Sequence, residues 1–244
     1  MKHIWPIFRR EFAAYFATPL AYVFIVIFLL AMGAFTFYVG RFYDNGIADL
    51  SVFFGYHPWL YLFLVPAIAM RLWAEERRSG TMELLLTLPV PLWATVTAKF
   101  LAAWAMIAVA LALTFPIWLT VIYLGDPDNG VIVASYLGSL LMAGAYLAIG
   151  ASLSATTSNQ VIAFVVTVVV CFLFTISGAP LVLDFFRAWA PLPLLTAISS
   201  FSFLTHFASI SAGVVDLRDL IFFFSLIALF LTANVVIVDL KKSG

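Results

Sequence analysis

Residues 75 to 89 read Glu75-Glu76-Arg77-Arg78-Ser79-Gly80-Thr81-Met82-Glu83-Leu84-Leu85-Leu86-Thr87-Leu88-Pro89, a knot of charge between two apolar runs, 50–70 before it and 100–125 after it. Neither run contains an Asp, Glu, Lys or Arg. A helix needs about 20 apolar residues to cross a hydrocarbon layer about 30 Å thick, so each run is long enough for one crossing. The segment is then the polar connection between two membrane spans. Charged residues make up 10% of the 244-residue chain and hydrophobic ones 65%, whereas soluble domains carry about 25% charge. The chain reads as an all-α integral membrane protein.

Counting outward by the same length criterion gives six spans, at 20–40, 56–73, 93–124, 132–154, 160–177 and 219–239, within a single domain of residues 1–244. The long charge-free interval 129–183 is divided by the polar run Ser154-Ala155-Thr156-Thr157-Ser158-Asn159-Gln160, whose side chains favour turns and caps. The interval 188–215 is long enough to cross but holds Pro191, Pro193 and several Ser and Thr residues. Parity decides its reading. With six spans, nine of the 12 basic residues share one side, and short loops rich in Lys and Arg face the cytoplasm. Residues 180–212 are therefore expected as a re-entrant segment near the outer face, where non-helical backbone needs protein or water around it. Both termini are expected to be cytoplasmic.

Before the first span, Trp5, Phe8, Phe12, Tyr15 and Phe16 recur at helical spacing, with Lys2, Arg9 and Arg10 largely on the other side. That pattern predicts an interfacial amphipathic helix over 1–18. The first apolar stretch is too long for a cleavable signal and is expected to stay as an anchor. Arg41–Gly55 and Gly125–Gly130 read as turn-rich outer loops. In the fourth span Gly144, Ala148 and Ser152 repeat every four residues, a spacing that lets helices approach closely within the chain or across a dimer.

After the charged knot, Met82, Leu85 and Leu86 share one helical face that Leu84 and Leu88 widen. A helix over 79–88 would be capped by Ser79 or Gly80, carry Glu83 in its first turn and stop at Pro89. About eight residues are marginal alone in water, so such a helix needs a surface to pack on. At the far end, Asp184, Arg187, His206, Asp216, Arg218 and Asp219 are expected to form an outer-face polar network and candidate gate. His206 has the hydroxyls of Ser202, Thr205 and Ser209 as its nearest polar neighbours in sequence.

Placed directly after the second of six spans, the run Glu75 to Pro89 resembles the coupling-helix region of ABC-2 type ATP-binding cassette transporter permeases. The tail Ser202-Phe203-Leu204-Thr205-His206-Phe207, followed by Gly213-Val214-Val215-Asp216-Leu217-Arg218-Asp219-Leu220, resembles their gliding-motility GldF-like branch, which is close to the permease of nitrous-oxide reductase maturation. The resemblance implies a type V exporter-like fold and a homo- or heterodimeric permease in the bacterial inner membrane. It also implies two cytoplasmic ATPase subunits that bind ATP and Mg, and allows a further membrane or periplasmic subunit. Coupling would fall to Glu75, Glu76, Arg77, Arg78, Gly80, Thr81, Met82, Glu83, Leu84 and Leu85, and the interfacial helix would contribute Trp5, Phe8, Arg9, Arg10 and Phe12. A second cytoplasmic contact would map to the loop Thr156–Gln160. Independently, the sequence has no Gly-x-x-x-x-Gly-Lys-Ser/Thr loop to cradle phosphates, so no ATP or metal is expected on this chain.

Other classes fit less well. An intramembrane enzyme has only His3, His57 and His206 to draw on, and Gly150-Ala151-Ser152-Leu153-Ser154 fails the nucleophile-elbow pattern at its last position. Ion-coupled transport would place ionisable groups at span centres, and none of the six spans has one. A scaffold without ATPase coupling remains open on sequence alone. Cys171 stands alone, which excludes an internal disulfide, and with a formal net charge of zero and no basic block nothing addresses nucleic acid.

Overall fold

A computed structural model describes residues 4–44, 46, 48–82, 89–187 and 190–241, and among these no strand occurs. That is what the composition requires, because a backbone in hydrocarbon can satisfy its N–H and C=O groups only within a helix or a closed barrel. Helix α1, Ile4–Ala17, is followed at Thr18 by one extended residue (φ −110°, ψ 158°). Pro19, which has no N–H to waste, then opens α2, Pro19–Gly33, and a π-helical turn carries it on to Val39. Three pieces come next: α3, Ser51–Gly55; α4, His57–Ala69; and α5, Arg71–Ser79. Helices α6, Leu92–Ala112, and α7, Phe115–Leu124, form one column broken at Leu113–Thr114, with Pro116 in the first turn after the break. After α8, Asn129–Ser154, and α9, Gln160–Ile176, come three short helices: α10, Pro180–Arg187; α11, Leu192–Ser199; and α12, Phe203–Ser211. Helix α13, Leu217–Leu240, closes the fold.

By length and hydropathy four of these columns can cross a membrane: Pro19–Val39, Leu92–Leu124, Asn129–Ser154 and Leu217–Leu240. Two bent pairs, α9 with α10 at 72° and α11 with α12 at 66°, raise the number to six if each counts as a span. The segment expected as a second span at 56–73 is instead the two helices α4 and α5, meeting at Met70. Thirteen residues in α4 reach about 20 Å, so α4 alone is shorter than the hydrocarbon layer. The outer loop expected at 41–55 also differs, since its last five residues are α3. There Asp49 Oδ1 accepts from the backbone N–H and hydroxyl of Ser51, and Phe53 and Phe54 turn inward onto His57 and Tyr136. The 180–212 region is three helices; Pro191 and Pro193 flank the start of α11.

Helix α8 is the axis of the bundle, with 78% of its membrane-length window buried against 28–33% in the other three long columns. It packs against α4, α6, α9, α12 and α13. Small residues make this possible. A Cβ on Gly144 would lie 3.0 Å from Trp104 Nε1 and 3.1 Å from Ile227 Cδ1, and one on Gly150 only 2.4 Å from Ala69 Cβ. Ser152 donates to the Phe230 carbonyl of α13. The four-residue repeat of small side chains thus serves packing within the chain. Because Ala69 sits on a helix and has no flexible end to move, Gly150→Ala should force α8 and α4 apart and cost about 1–3 kcal/mol. Thermal unfolding of the detergent-solubilised protein checks this; an unchanged midpoint would show that the contact is looser than described.

Candidate functional site at the charged end of the bundle

Helix α5 carries the charged knot. Arg71 grips Glu75 with two hydrogen bonds of 2.6 and 3.0 Å, Leu72, Trp73 and Ala74 are buried, and Arg77 and Arg78 occupy the last turn, where the helix dipole favours cations. Gly80, at φ +72°, adopts the left-handed conformation and terminates the helix. The expected helix over 79–88 is therefore corrected at its start. Ser79 is the last residue of α5, its hydroxyl bonded back to the Glu75 and Glu76 carbonyls, and Gly80 is a C-cap. A glycine free to take positive φ ends one helix more readily than a serine begins the next. Thr81 and Met82 are helical, with Met82 buried, whereas Glu83, Leu84 and Leu85 lie outside the described residues.

The break at Met70 is repaired from α8. The Ser154 hydroxyl oxygen accepts from the N–H groups of Trp73 and Ala74 at 3.2 and 3.0 Å and donates to the Met70 carbonyl at 2.8 Å. It caps α5 from another helix, because the first-turn donors of a helix have no intrahelical partners. One residue on, Arg77 donates to the Ala155 carbonyl, and Lys241 from the end of α13 donates to the Thr156 carbonyl. The start of the short loop after α8, uncharged in sequence, is thus bound by two cations from elsewhere. Burial, with the nearby charge of Arg77, lowers the pKa of Lys241.

Between α1, α5 and α6 lies Lys99, 4% exposed, with its ammonium 3.2 Å from Glu11 and 2.7 Å from Glu76 and 5.7 Å from the Trp73 ring centroid. Burial pushes the Glu76 carboxyl pKa up, but the charge and hydrogen bond of Lys99, helped by the Thr81 hydroxyl, outweigh it and hold the group below its usual range. Glu75 is held low chiefly by its hydrogen bond to Arg71. A cavity of about 250 Å³ opens here, lined by Glu11, Tyr15, Thr18, Arg71, Glu76 and Lys99 among others. The sequence reading counted Lys99 and Arg71 only as side-determining charges and did not single out Glu11. The available signal was position: Lys99 is the eighth residue of a helix whose neighbours are apolar.

The aromatic residues expected on an interfacial helix form a stacked row on α1, with Trp5 to Phe8 at 5.5 Å, Phe8 to Phe12 at 5.7 Å and Phe12 to Phe16 at 5.1 Å. Arg9 is exposed and Arg10 reaches Glu11 at 2.7 Å. Trp5 and Phe8 also border an apolar groove of about 490 Å³ with Leu101, Trp104 and Leu140.

At the opposite end, the six expected gate residues fall into separate groups in the described contacts, instead of one network. Asp184 and Arg187 form an exposed pair one helical turn apart, and Asp216 caps α13 by accepting the Arg218 N–H. The partly buried His206 meets the buried Asp219 at 2.6 Å, and His206 Nε2 lies 2.9 Å from the Ser200 carbonyl; its partners are these and not the neighbouring hydroxyls. A carbonyl only accepts, so Nε2 is the donor to Ser200. Among the described residues no three of His, Cys, Asp and Glu come together as a metal site.

Ionised groups gathered at the ends of an apolar helical bundle define a polytopic membrane protein. Residues 43–238 match the ABC-2 family transporter protein family. The chain belongs to that family, and so is a membrane component of an ATP-binding cassette transporter. Comparison with curated proteins gave no match.

Two outcomes follow for this end. Ser154→Ala removes one acceptor shared by two buried N–H groups and should cost about 1–3 kcal/mol, with faster amide exchange at residues 71–79. Unchanged exchange there would mean the break does not depend on Ser154. Glu75 and Glu76 have folded pKa values below the unfolded one of about 4.3, so their contribution is complete above that pH and is lost as pH falls through the folded values. Amide exchange in α5 should therefore accelerate selectively below about pH 4 while α8 stays protected.

Proposed function

We propose that this chain is the permease subunit of an ABC-2 exporter in the bacterial inner membrane, receiving work from two separate cytoplasmic ATPase subunits at residues 75–89. The permease acts as a homo- or heterodimer, with any additional membrane or periplasmic subunit at the outer face, and the ATPases hold the ATP and Mg. The observation that carries the reading is the double anchorage of α5. Its exposed tip, Arg78 to Thr81, is presented outward, while Ser154 and Lys99 bind the helix to α8 and α6. A partner pressing on that tip would move packed helices and not a loose loop. The charge of the tip gives the partner a polar surface to match, and Lys241 lies at the same end, in keeping with a cytoplasmic C-terminus. The tail motif around His206 and Asp219 supports placement in the gliding-motility branch, with the His206–Asp219 pair as part of the outer gate.

The test is co-purification of ATPase subunits with the full-length chain from its own membranes. Wild-type protein should retain an ATPase whose hydrolysis it stimulates, and Glu83→Lys should lose that ATPase while inserting normally. Retention by the variant would remove docking from this site. Failure of wild type to bind any ATPase would overturn the permease reading itself.

A further inference from the structure

We propose that Lys99 is a positioning residue, the joint of a continuous side-chain relay that makes the interfacial helix move with the tip of α5. The relay runs from Arg10 to Glu11 Oε1 at 2.7 Å, from Glu11 Oε2 to Lys99 at 3.2 Å, from Lys99 to Glu76 Oε1 at 2.7 Å, and from Glu76 Oε2 to the Thr81 hydroxyl at 2.6 Å. Every carboxylate oxygen in it is used. It crosses three helices, α1, α6 and α5, and ends just past Gly80, over sequence separations of 88 and 23 residues at its centre.

Stability does not explain such an arrangement. A buried ion pair gains little over a well-packed apolar substitute, because desolvation offsets the attraction. Lys99 is 4% exposed and lies among apolar residues of α6, where a methionine would fill the space. What the ammonium adds is direction. It binds the two carboxylates only when α1 and α5 keep one register. The Trp73 ring at 5.7 Å contributes an attractive face to the ammonium on the α5 side. Thr81 is also tied to Ser79 and to the Glu76 carbonyl, so a displacement of the tip reaches Glu76 first.

This inference rests on the permease reading for the origin of the force, but the joint can be tested without a partner. Spin labels at Arg9→Cys and Arg78→Cys, both exposed positions, report the α1 to α5 distance in the full chain in lipid nanodiscs, with buried Cys171 left in place. Wild type should give one narrow distribution. Lys99→Met should fold yet broaden it, whereas Lys99→Arg, which keeps a cation between the two carboxylates, should leave it narrow. If Lys99→Met fails to fold, Glu11→Gln cuts the relay at α1 alone and should broaden the distribution likewise. A distribution unchanged by Lys99→Met and Glu11→Gln, or broadened as much by Lys99→Arg, overturns the joint.

With co-purified ATPase bound, labels at Arg9→Cys and Val161→Cys read movement of α1 against α9. A non-hydrolysable ATP analogue should shift that distance in wild type and not in Lys99→Met, although the ATPase stays bound. A shift that persists in Lys99→Met overturns transmission through Lys99. Absence of ATPase from wild type would sink the permease reading and leave the first label pair to decide the joint.

Discussion

The structure depends on one constraint: in hydrocarbon no backbone N–H or C=O can be left to water. Wherever a helix breaks, a partner must come from inside the protein, and the break at Met70 shows the consequence. A single hydroxyl, Ser154 Oγ, holds two N–H groups and one carbonyl there, so the direction of α5 is set by the end of α8. The same rule governs two other interruptions. Thr114, at the break between α6 and α7, donates to Leu111 and pairs with Tyr136 of α8, and Ser202, between α11 and α12, donates to the Thr175 carbonyl while accepting the Thr205 N–H. Each break is thereby fastened to a neighbouring helix. Hydroxyls, and not charges, supply these bonds, since an ionised group at that depth would cost far more.

Close approach is the second requirement, and α8 meets it with small side chains. Gly138, Gly144 and Gly150 face Ile210, Trp104 with Ile227, and Ala69 with Thr167, so each glycine receives a different helix. In lipid there is no hydrophobic gain in bringing helices together, and dispersion at short range with interhelical hydrogen bonds must replace it. Tyr61, His57 and Ser139 illustrate this: the Ser139 hydroxyl lies 2.8 Å from both the Tyr61 hydroxyl and His57 Nδ1, inside a box of Phe28, Phe53 and Phe54.

The helical membrane class was legible because it follows from composition, and the charged knot because charge is rare in this chain. Where a helix ends is decided by φ/ψ and by remote partners, and so was less legible. Gly80 was recognised as a cap but assigned to the wrong helix, since sequence shows a glycine's freedom without showing which neighbour uses it. The Met70 break had Pro66 nearby as a signal, yet its partner stands 84 residues away. Lys99 was hidden for the same reason, its carboxylates being 88 and 23 residues distant. His206 was placed among hydroxyls by sequence proximity, whereas folding the turn before α13 back onto α12 brings Asp219 to it instead.

The two polar ends differ in a way that bears on their work. At the charged end, five elements are joined by ions whose bonds run between helices: Glu11 and Glu76 to Lys99, Arg77 to the end of α8, Lys241 to the loop beyond it. At the other end, Asp184 with Arg187 and Asp216 with the Arg218 N–H bond locally, and among the ion pairs described there only His206 with Asp219 joins two elements. An end stapled across helices transmits displacement as a body; an end of locally bonded short helices, bent by 72° and 66°, can rearrange piece by piece. Since α8 runs the length of the bundle between them, about 39 Å at 1.5 Å per residue, a tilt imposed at Ser154 reaches Gly138 and Ile210 through packed side chains. Rigidity at one end and divisibility at the other is the asymmetry that the proposed coupling, driven from one face of the membrane, would require.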